Sequence, residues 1–178
     1  MKKPYLTLLI ASLISLKVNA YEKAPFVAGG MSFIEDIEVL TVELGAEIAP
    51  NLNWSFGGSS TLSDSYSSNF ASIYPTEVTA WGLHTAIGYE FSLNPTVAIT
   101  PRIGLNYNSI SIHQTDPTTH EVLLEARNDH LSPTVGLKVD IGRVGIISDV
   151  YKTEMPPLNQ NGEELDETTV RIMAVYNF

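Results

Sequence analysis

The chain of 178 residues contains no cysteine, and its 10 lysine and arginine residues are outnumbered by 20 aspartate and glutamate residues. The lack of cysteine excludes a disulfide scaffold, a zinc–thiolate site and a cysteine nucleophile. A formal net charge of −10 argues against a nucleic-acid partner, because phosphate binding needs clustered lysine and arginine. The length predicts one domain, large enough to bury a core without covalent cross-links.

Long apolar runs are also scarce, and the clearest one lies at the N-terminus. Two lysines precede the apolar stretch Tyr5–Leu16, and Val18-Asn19-Ala20 has the residues of a cleavage site. This layout predicts a secretory signal peptide at residues 1–20 and a mature domain at residues 21–178, with a retained N-terminal anchor as the alternative. No later stretch approaches the 18 continuous apolar residues of a membrane-spanning helix.

The rest of the chain is dominated by residues that alternate in character. From Thr79 to Phe91 the odd positions carry large side chains such as Trp81 and Leu83, whereas the even positions are small or polar. A period of two indicates a β-strand, because no helix can present these two faces. Eight segments show the pattern and are predicted as strands: Phe26–Phe33, Leu40–Ile48, Leu52–Ser60, Thr79–Phe91, Val97–Tyr107, Leu131–Ile141, Val144–Tyr151 and Val170–Phe178.

Short turns alternate with connections of about fifteen residues, a pattern typical of outer-membrane barrels and unusual inside compact soluble domains. The long connections are Thr61–Pro75, Gln114–Asn128 and Thr153–Glu167. The sequence therefore predicts an all-β fold: an eight-stranded antiparallel up-and-down transmembrane β-barrel with a polar, side-chain-filled lumen. Pro101 lies within a predicted strand and has no N–H to donate, so we expect a β-bulge there.

The polar face of the strands carries glycine and alanine between single charges. Such residues suit the narrow interior of an eight-stranded barrel, whereas a solvated face would carry many long charged side chains. Buried charge is tolerated only when it is paired, so we expect an ion-pair network in the lumen. Its predicted members are Glu43, Glu47, Glu90, Arg102, Lys138, Asp140 and Arg171, with His84 and Asp149 on the same face. We interpret the network as a structural plug, with a gated conductance path as the alternative.

Aromatic residues on the apolar face lie near the two ends of the predicted strands. Two such girdles, on either side of an aliphatic band, are what the interfaces of a bilayer favour. The predicted girdle residues are Trp54, Tyr89, Phe91 and Tyr176 at the short-turn end, and Trp81 and Tyr107 at the long-loop end.

The C-terminal segment Val170–Phe178 ends on an aromatic residue, with Tyr176 and aliphatic residues at every second position before it. Together with the export signal, it resembles the small outer-membrane barrels of the OmpA/OmpX type over essentially all of residues 21–178. The resemblance implies that Tyr176 and Phe178 form the signal read by the barrel assembly machinery. It also implies location in the outer membrane of a Gram-negative bacterium, in contact with lipid and lipopolysaccharide. The peptidoglycan-binding domain of larger OmpA-like proteins is missing from this sequence.

Three motifs resemble functional sites but match them incompletely. His130-Leu131-Ser132 is similar to the His-x-Ser pair of outer-membrane lipid A deacylases, but it has the lumen phase and the expected carboxylate position falls near Val144. His113, His120 and His130, around the connection Gln114–Asn128, are interpreted as solvated rather than metal-binding. Residues 159–162 resemble part of a calcium loop, but the first and last ligand positions do not match. We therefore expect no enzyme activity, no cofactor and no metal.

Acidic residues are concentrated at the long-loop end. Fourteen lie there, against only two basic residues, Arg127 and Lys152: Glu35, Asp36, Glu38, Asp64, Glu77, Asp116, Glu121, Glu125, Asp129, Glu154, Glu163, Glu164, Asp166 and Glu167. The sequence thus predicts a structural or surface-interacting barrel that presents acidic extracellular loops, possible sites for an extracellular ligand. A narrow porin-like channel and a lipid A-modifying enzyme are the alternatives.

Overall fold

The computed structural model describes residues 25–34, 37–61, 76–116, 118–156 and 165–178. These residues form eight long strands: β1 (Phe26–Ile34), β2 (Ile37–Ala49), β3 (Leu52–Thr61), β4 (Thr76–Tyr89), β5 (Val97–Thr115), β6 (Val122–Ile141), β7 (Val144–Met155) and β8 (Leu165–Asn177). A two-residue strand, Phe91–Ser92, follows β4. The predicted signal peptide, residues 62–75 of the first long connection and residues 157–164 of the last lie outside the described residues.

The strands close into a barrel. Each long strand pairs antiparallel with the next one along the chain, and β1 pairs with β8 from Phe26↔Asn177 to Phe33↔Val170. Closure gives every long strand a partner on both sides, so the backbone groups that are paired in the wall need no water. The predicted eight-stranded antiparallel barrel is confirmed.

Two strands extend eight or more residues beyond their predicted ends. β5 continues to Thr115 and β6 begins at Val122, so most of the connection predicted at Gln114–Asn128 is a β-hairpin and that prediction is wrong. The backbone N–H groups of Thr118 and Thr119 donate to Oδ1 of Asp116, which fixes the tip. The extension of these two strands could not be predicted from the sequence, because polar residues interrupt the apolar alternation where the hairpin leaves the barrel.

The β-bulge expected at Pro101 is also absent, and that prediction is wrong. On one side, β5 pairs first with Phe91–Ser92 and then with β4. The pairing is interrupted between Phe91↔Ile99 and Gly88↔Arg102, and the register is the same on both sides of the interruption. Pro101 lies inside this gap, where its missing N–H removes a rung without adding a residue. The backbone N–H of Glu90 donates instead to the carbonyl oxygen of Asn51 at 2.7 Å.

The outer surface is lined by large apolar side chains in the predicted strand phase. Ile103 is 68% exposed, Val135 63% and Leu131 60%. Soluble proteins rarely expose contiguous apolar surface of such size. This apolar belt therefore fits contact with lipid.

The interior is layered rather than polar throughout. At the long-loop end a buried apolar cluster, called here the apolar cap, fills the barrel: Ile34, Ile37, Val39, Val78, Ala80, Ile110, Ile112 and Met155. A second apolar cluster lies towards the short-turn end: Phe26, Ala28, Ile147, Met173 and Val175. Charged side chains are buried between the two clusters and near the short-turn mouth.

Candidate functional site in the barrel interior

The charged middle layer is assembled from five strands. Alternation turns Glu43 on β2, His84 on β4, Arg102 on β5, Asp149 on β7 and Arg171 on β8 towards the barrel axis, and each is at most 5% exposed. These residues are far apart in sequence, so the register of the closed sheet is what brings them together.

Glu43 and Arg102 form the strongest contact of the layer. Nη1 of Arg102 donates to Oε1 of Glu43 at 2.7 Å, and Nη2 donates to Oε2 at 2.8 Å. Paired bonds of this kind match the planar guanidinium to the carboxylate and are among the strongest in proteins. Nε2 of His84 lies 2.9 Å from Oε2 of the same carboxylate.

Asp149 joins the two arginines. Its Oδ1 lies 3.2 Å from Nε of Arg102, an ionic contact in which neither atom has a hydrogen-bond partner among the described residues. Its Oδ2 accepts from Nε and Nη2 of Arg171 at 3.1 and 2.7 Å. Nη1 of Arg171 donates to Oδ1 of Asn106 at 3.3 Å, and the guanidinium lies 5.3 Å from the ring centre of Tyr151. Two carboxylates thus balance two guanidinium groups.

Glycines on facing strands make room for this layer. A Cβ atom on Gly136 would collide with the Asp149 carboxylate, and one on Gly57 would collide with the His84 ring. The interior of an eight-stranded barrel is just wide enough to be filled by side chains, so a large residue on one strand needs a small one opposite. This accounts for the glycines on the polar face of the sequence.

A second charged group lies at the short-turn mouth. Nζ of Lys138 is 3.0 Å from Oδ2 of Asp140 and donates to Oδ1 of Asn177 at 3.2 Å. Nδ2 of Asn177 donates to Oδ1 of Asp140 at 3.0 Å, and the Lys138 ammonium lies 4.2 Å from the ring centre of Phe26. The group borders a cavity of about 350 Å³ that also contacts Glu90.

The structure therefore divides the seven residues grouped by the sequence analysis. Glu43, Arg102 and Arg171 meet in the middle layer, where strand phase had also placed His84 and Asp149. Lys138 and Asp140 form the group at the mouth. Of the other two acidic residues, Glu47 accepts at Oε1 from the backbone N–H of Asn51 at 2.6 Å, and Glu90 lines the mouth cavity, where its Oε1 accepts from Oγ of Ser92 at 3.4 Å. Asn106 and Tyr151 were not predicted as partners of Arg171, although their positions in the alternating pattern already placed them on the inward face.

The predicted girdle residues lie on the outer surface. Trp54, Tyr89, Phe91 and Tyr176 are 43–53% exposed at one end of the barrel, and Trp81 is 42% exposed nearer the other. Neighbouring rings pack in pairs, with centroids 5.5 Å apart for Trp81 and Tyr107, 5.0 Å for Tyr89 and Phe91, and 5.4 Å for Tyr176 and Phe178.

The His-x-Ser motif does not form a nucleophile–base pair. Ser132 is 1% exposed, and its hydroxyl has no hydrogen-bond partner among the described residues. Nδ1 of His130 lies 2.9 Å from Oε1 of Glu154 on the neighbouring strand. Within the described ranges no group of three or more histidine, aspartate or glutamate side chains could hold a metal ion.

A closed eight-stranded barrel, apolar outside between two sets of aromatic side chains and charged inside, has the architecture of the small outer-membrane β-barrels. Solved structures of that class match the chain. One is a major outer membrane protein from Thermus thermophilus, with a TM-score of 0.56, 16% sequence identity and coverage of 87% of this chain and 99% of that chain.

Another is Ail, the attachment invasion locus protein of Yersinia pestis. In complex with the heparin analogue sucrose octasulfate, it matches with a TM-score of 0.56, 9% identity and coverage of 88% of this chain and 97% of that chain. A second crystal structure of Ail gives a TM-score of 0.52 at 10% identity, covering 88% and 99%. No protein-family model and no curated protein matches the sequence. At these identities the likeness shows the fold alone.

Proposed function

We propose that the protein is an integral barrel of the outer membrane of a Gram-negative bacterium, with a structural and surface-interacting role and no enzyme activity. The apolar outer surface between two aromatic girdles supports insertion in a bilayer, and the likeness in fold to outer-membrane barrels supports this particular membrane. In this orientation the short turns face the periplasm and the β5–β6 hairpin faces the cell exterior.

The observation that carries the structural role is the filled interior. The apolar cap occupies the long-loop end, and its members are at most 3% exposed. Below it, the Glu43–Arg102 pair connects β2 to β5 across the barrel. A channel would need a continuous wet path past both layers, so the filled interior favours a rigid support for surface loops over a conduit.

The β5–β6 hairpin is the part of the described chain best placed to meet a partner. Along β6 and the tip, Glu121, Glu125 and Asp129 are exposed, with Arg127 as the accompanying base. Ail of the same fold was crystallised with a sulfated heparin analogue. The excess of acid on the hairpin of this chain opposes a polyanion and instead favours a cationic extracellular ligand or divalent cations that bridge to lipopolysaccharide.

Two further partners are part of the proposal. Tyr176 and Phe178 project outward from the last strand and its end, at 43% and 65% exposure, where the barrel assembly machinery would reach them during insertion. Lipid and lipopolysaccharide would contact the girdles and the apolar belt.

Surface labelling of whole cells tests the location and the orientation together. Because the chain contains no cysteine, Thr118→Cys at the exposed hairpin tip gives a single site for a membrane-impermeant maleimide. We expect intact cells to be labelled at Thr118→Cys and not at Asn94→Cys, which is exposed in a short turn at the other end. Labelling of Asn94→Cys alone would show that the orientation is the opposite of the one proposed. Labelling of neither variant, in cells that contain the folded protein, would contradict the surface role.

A further inference from the structure

The barrel wall has a gap between β6 and β7. Their ladder ends at the pair Thr134↔Tyr151, yet β6 continues to Val122 and β7 to Met155. Beyond this pair, within the described residues, β6 pairs only with β5 and β7 only with β8. Every other ladder differs at its long-loop end. There, within the described residues, at least one of the two paired strands ends no more than one residue after the last pair. We call this gap the β6–β7 cleft.

The cleft begins at a proline. Pro133 is the first β6 residue beyond the ladder and has no N–H to donate, so main-chain pairing cannot simply continue through it. Immediately behind the cleft, Ser132 and Thr134 are 1% and 2% exposed, and their hydroxyl groups have no hydrogen-bond partner among the described residues. The cleft therefore separates the outside from a polar part of the interior, unlike the axial route, which leads through the apolar cap.

A contact between a histidine and a glutamate side chain crosses the cleft. Nδ1 of His130 on β6 lies 2.9 Å from Oε1 of Glu154 on β7, and the two side chains are 19% and 29% exposed. A polar contact with this partial burial is stronger than a fully exposed one, because less water competes for the two groups. The ion pair of Arg127 with Asp129, also on this part of β6, stays within β6 and spans no gap.

We propose that the His130–Glu154 pair is a latch that holds the β6–β7 cleft shut, and that water-soluble molecules from the exterior reach the polar interior sideways through this cleft rather than along the barrel axis. Opening breaks no main-chain hydrogen bond between the two strands, because their backbone ladder has already ended there. Opening the axis would require unpacking the apolar cap.

Single cysteines in this cysteine-free chain distinguish the two routes. Ser132→Cys reports on the interior behind the cleft, and Thr41→Cys, 0% exposed on β2, reports on the interior below the cap. Each reporter is combined with Glu154→Ala or Glu154→Gln, or with Arg127→Ala as a control that removes a charge outside the cleft. Folded protein in vesicles, verified by its compact migration on a gel before boiling, is then labelled with a polar maleimide.

We expect Glu154→Ala and Glu154→Gln to speed labelling of Ser132→Cys about fivefold or more, while Thr41→Cys and the Arg127→Ala control stay slow. Hydrogen exchange of the amides of Leu131, Ser132 and Thr134 on β6 and of residues 151–153 on β7 should accelerate in the same variants without any added cysteine. Unchanged labelling and exchange would overturn the latch, and equal acceleration at Thr41→Cys would overturn the lateral route.

Discussion

Removing Arg102 is the perturbation that tests the middle layer most severely. Glu43 is 0% exposed in the native barrel, and in Arg102→Ala it loses both guanidinium hydrogen bonds and keeps only the contact with His84. Asp149 loses one of its two arginines and keeps Arg171. Stranding a buried charge in this way costs about 3–5 kcal/mol, which lowers the equilibrium constant for folding by roughly a hundred- to several-thousandfold.

Urea unfolding in phospholipid vesicles, followed by tryptophan fluorescence, measures this loss. Trp54 and Trp81 lie on the outer surface, 45% and 42% exposed, so their emission changes when the barrel leaves the lipid. We expect the midpoint to fall with little change in the dependence on urea concentration, because the surface exposed on unfolding is nearly the same.

Two controls separate charge pairing from loss of volume. Arg127→Ala removes an exposed arginine whose ion pair is with Asp129 on the same strand, and it should leave the midpoint unchanged. Glu43→Gln combined with Arg102→Met removes both charges and should be less destabilising than Arg102→Ala alone, because Glu43 is no longer left as an unpaired carboxylate. A barrel as stable with Arg102→Ala as without it, or a double variant as unstable as the single one, would refute the pairing.

Two further predictions use the same assay. Gly136→Ala places a Cβ atom against the Asp149 carboxylate and should cost about 1–3 kcal/mol; Gly29→Ala, whose Cβ would meet nothing within 4 Å, is the matched control and should be harmless. Equal effects of the two would mean that the interior adapts to an extra methyl group. Ile112→Ala, in the apolar cap, should cost about 2–5 kcal/mol through lost burial and a cavity, and clearly more than Ile103→Ala on the outer surface; the reverse order would contradict a packed cap.

Much of the fold could be predicted from local patterns. Alternation of large and small residues, as from Thr79 to Phe91, defines both a strand and its two faces. The predictions failed where this signal was broken. The β5–β6 hairpin extends beyond the apolar belt, where strands need no apolar outer face, and Pro101 removes a hydrogen bond in the same way whether or not a residue is inserted.

The interior was less predictable because it depends on register between distant strands. Phase alone turns Glu43, Arg102, Lys138, Asp140 and Arg171 inward, but it does not say at which height each one lies. The position of each residue along the barrel axis is what separates the middle layer from the group at the mouth. The apolar cap was missed for a related reason, since Ile112 lies beyond the predicted end of its strand and its inward direction follows only once β5 is known to continue.

The central claim is that the barrel interior is filled along its axis and leaves no path from one end to the other, and the conductance of the purified protein in a planar lipid bilayer tests it most directly. With the apolar cap and the charged layer in place, the account predicts a bilayer current that shows no discrete steps above the background of the protein-free membrane. Reproducible ohmic steps from the folded, unboiled protein would contradict it and would favour the narrow channel instead.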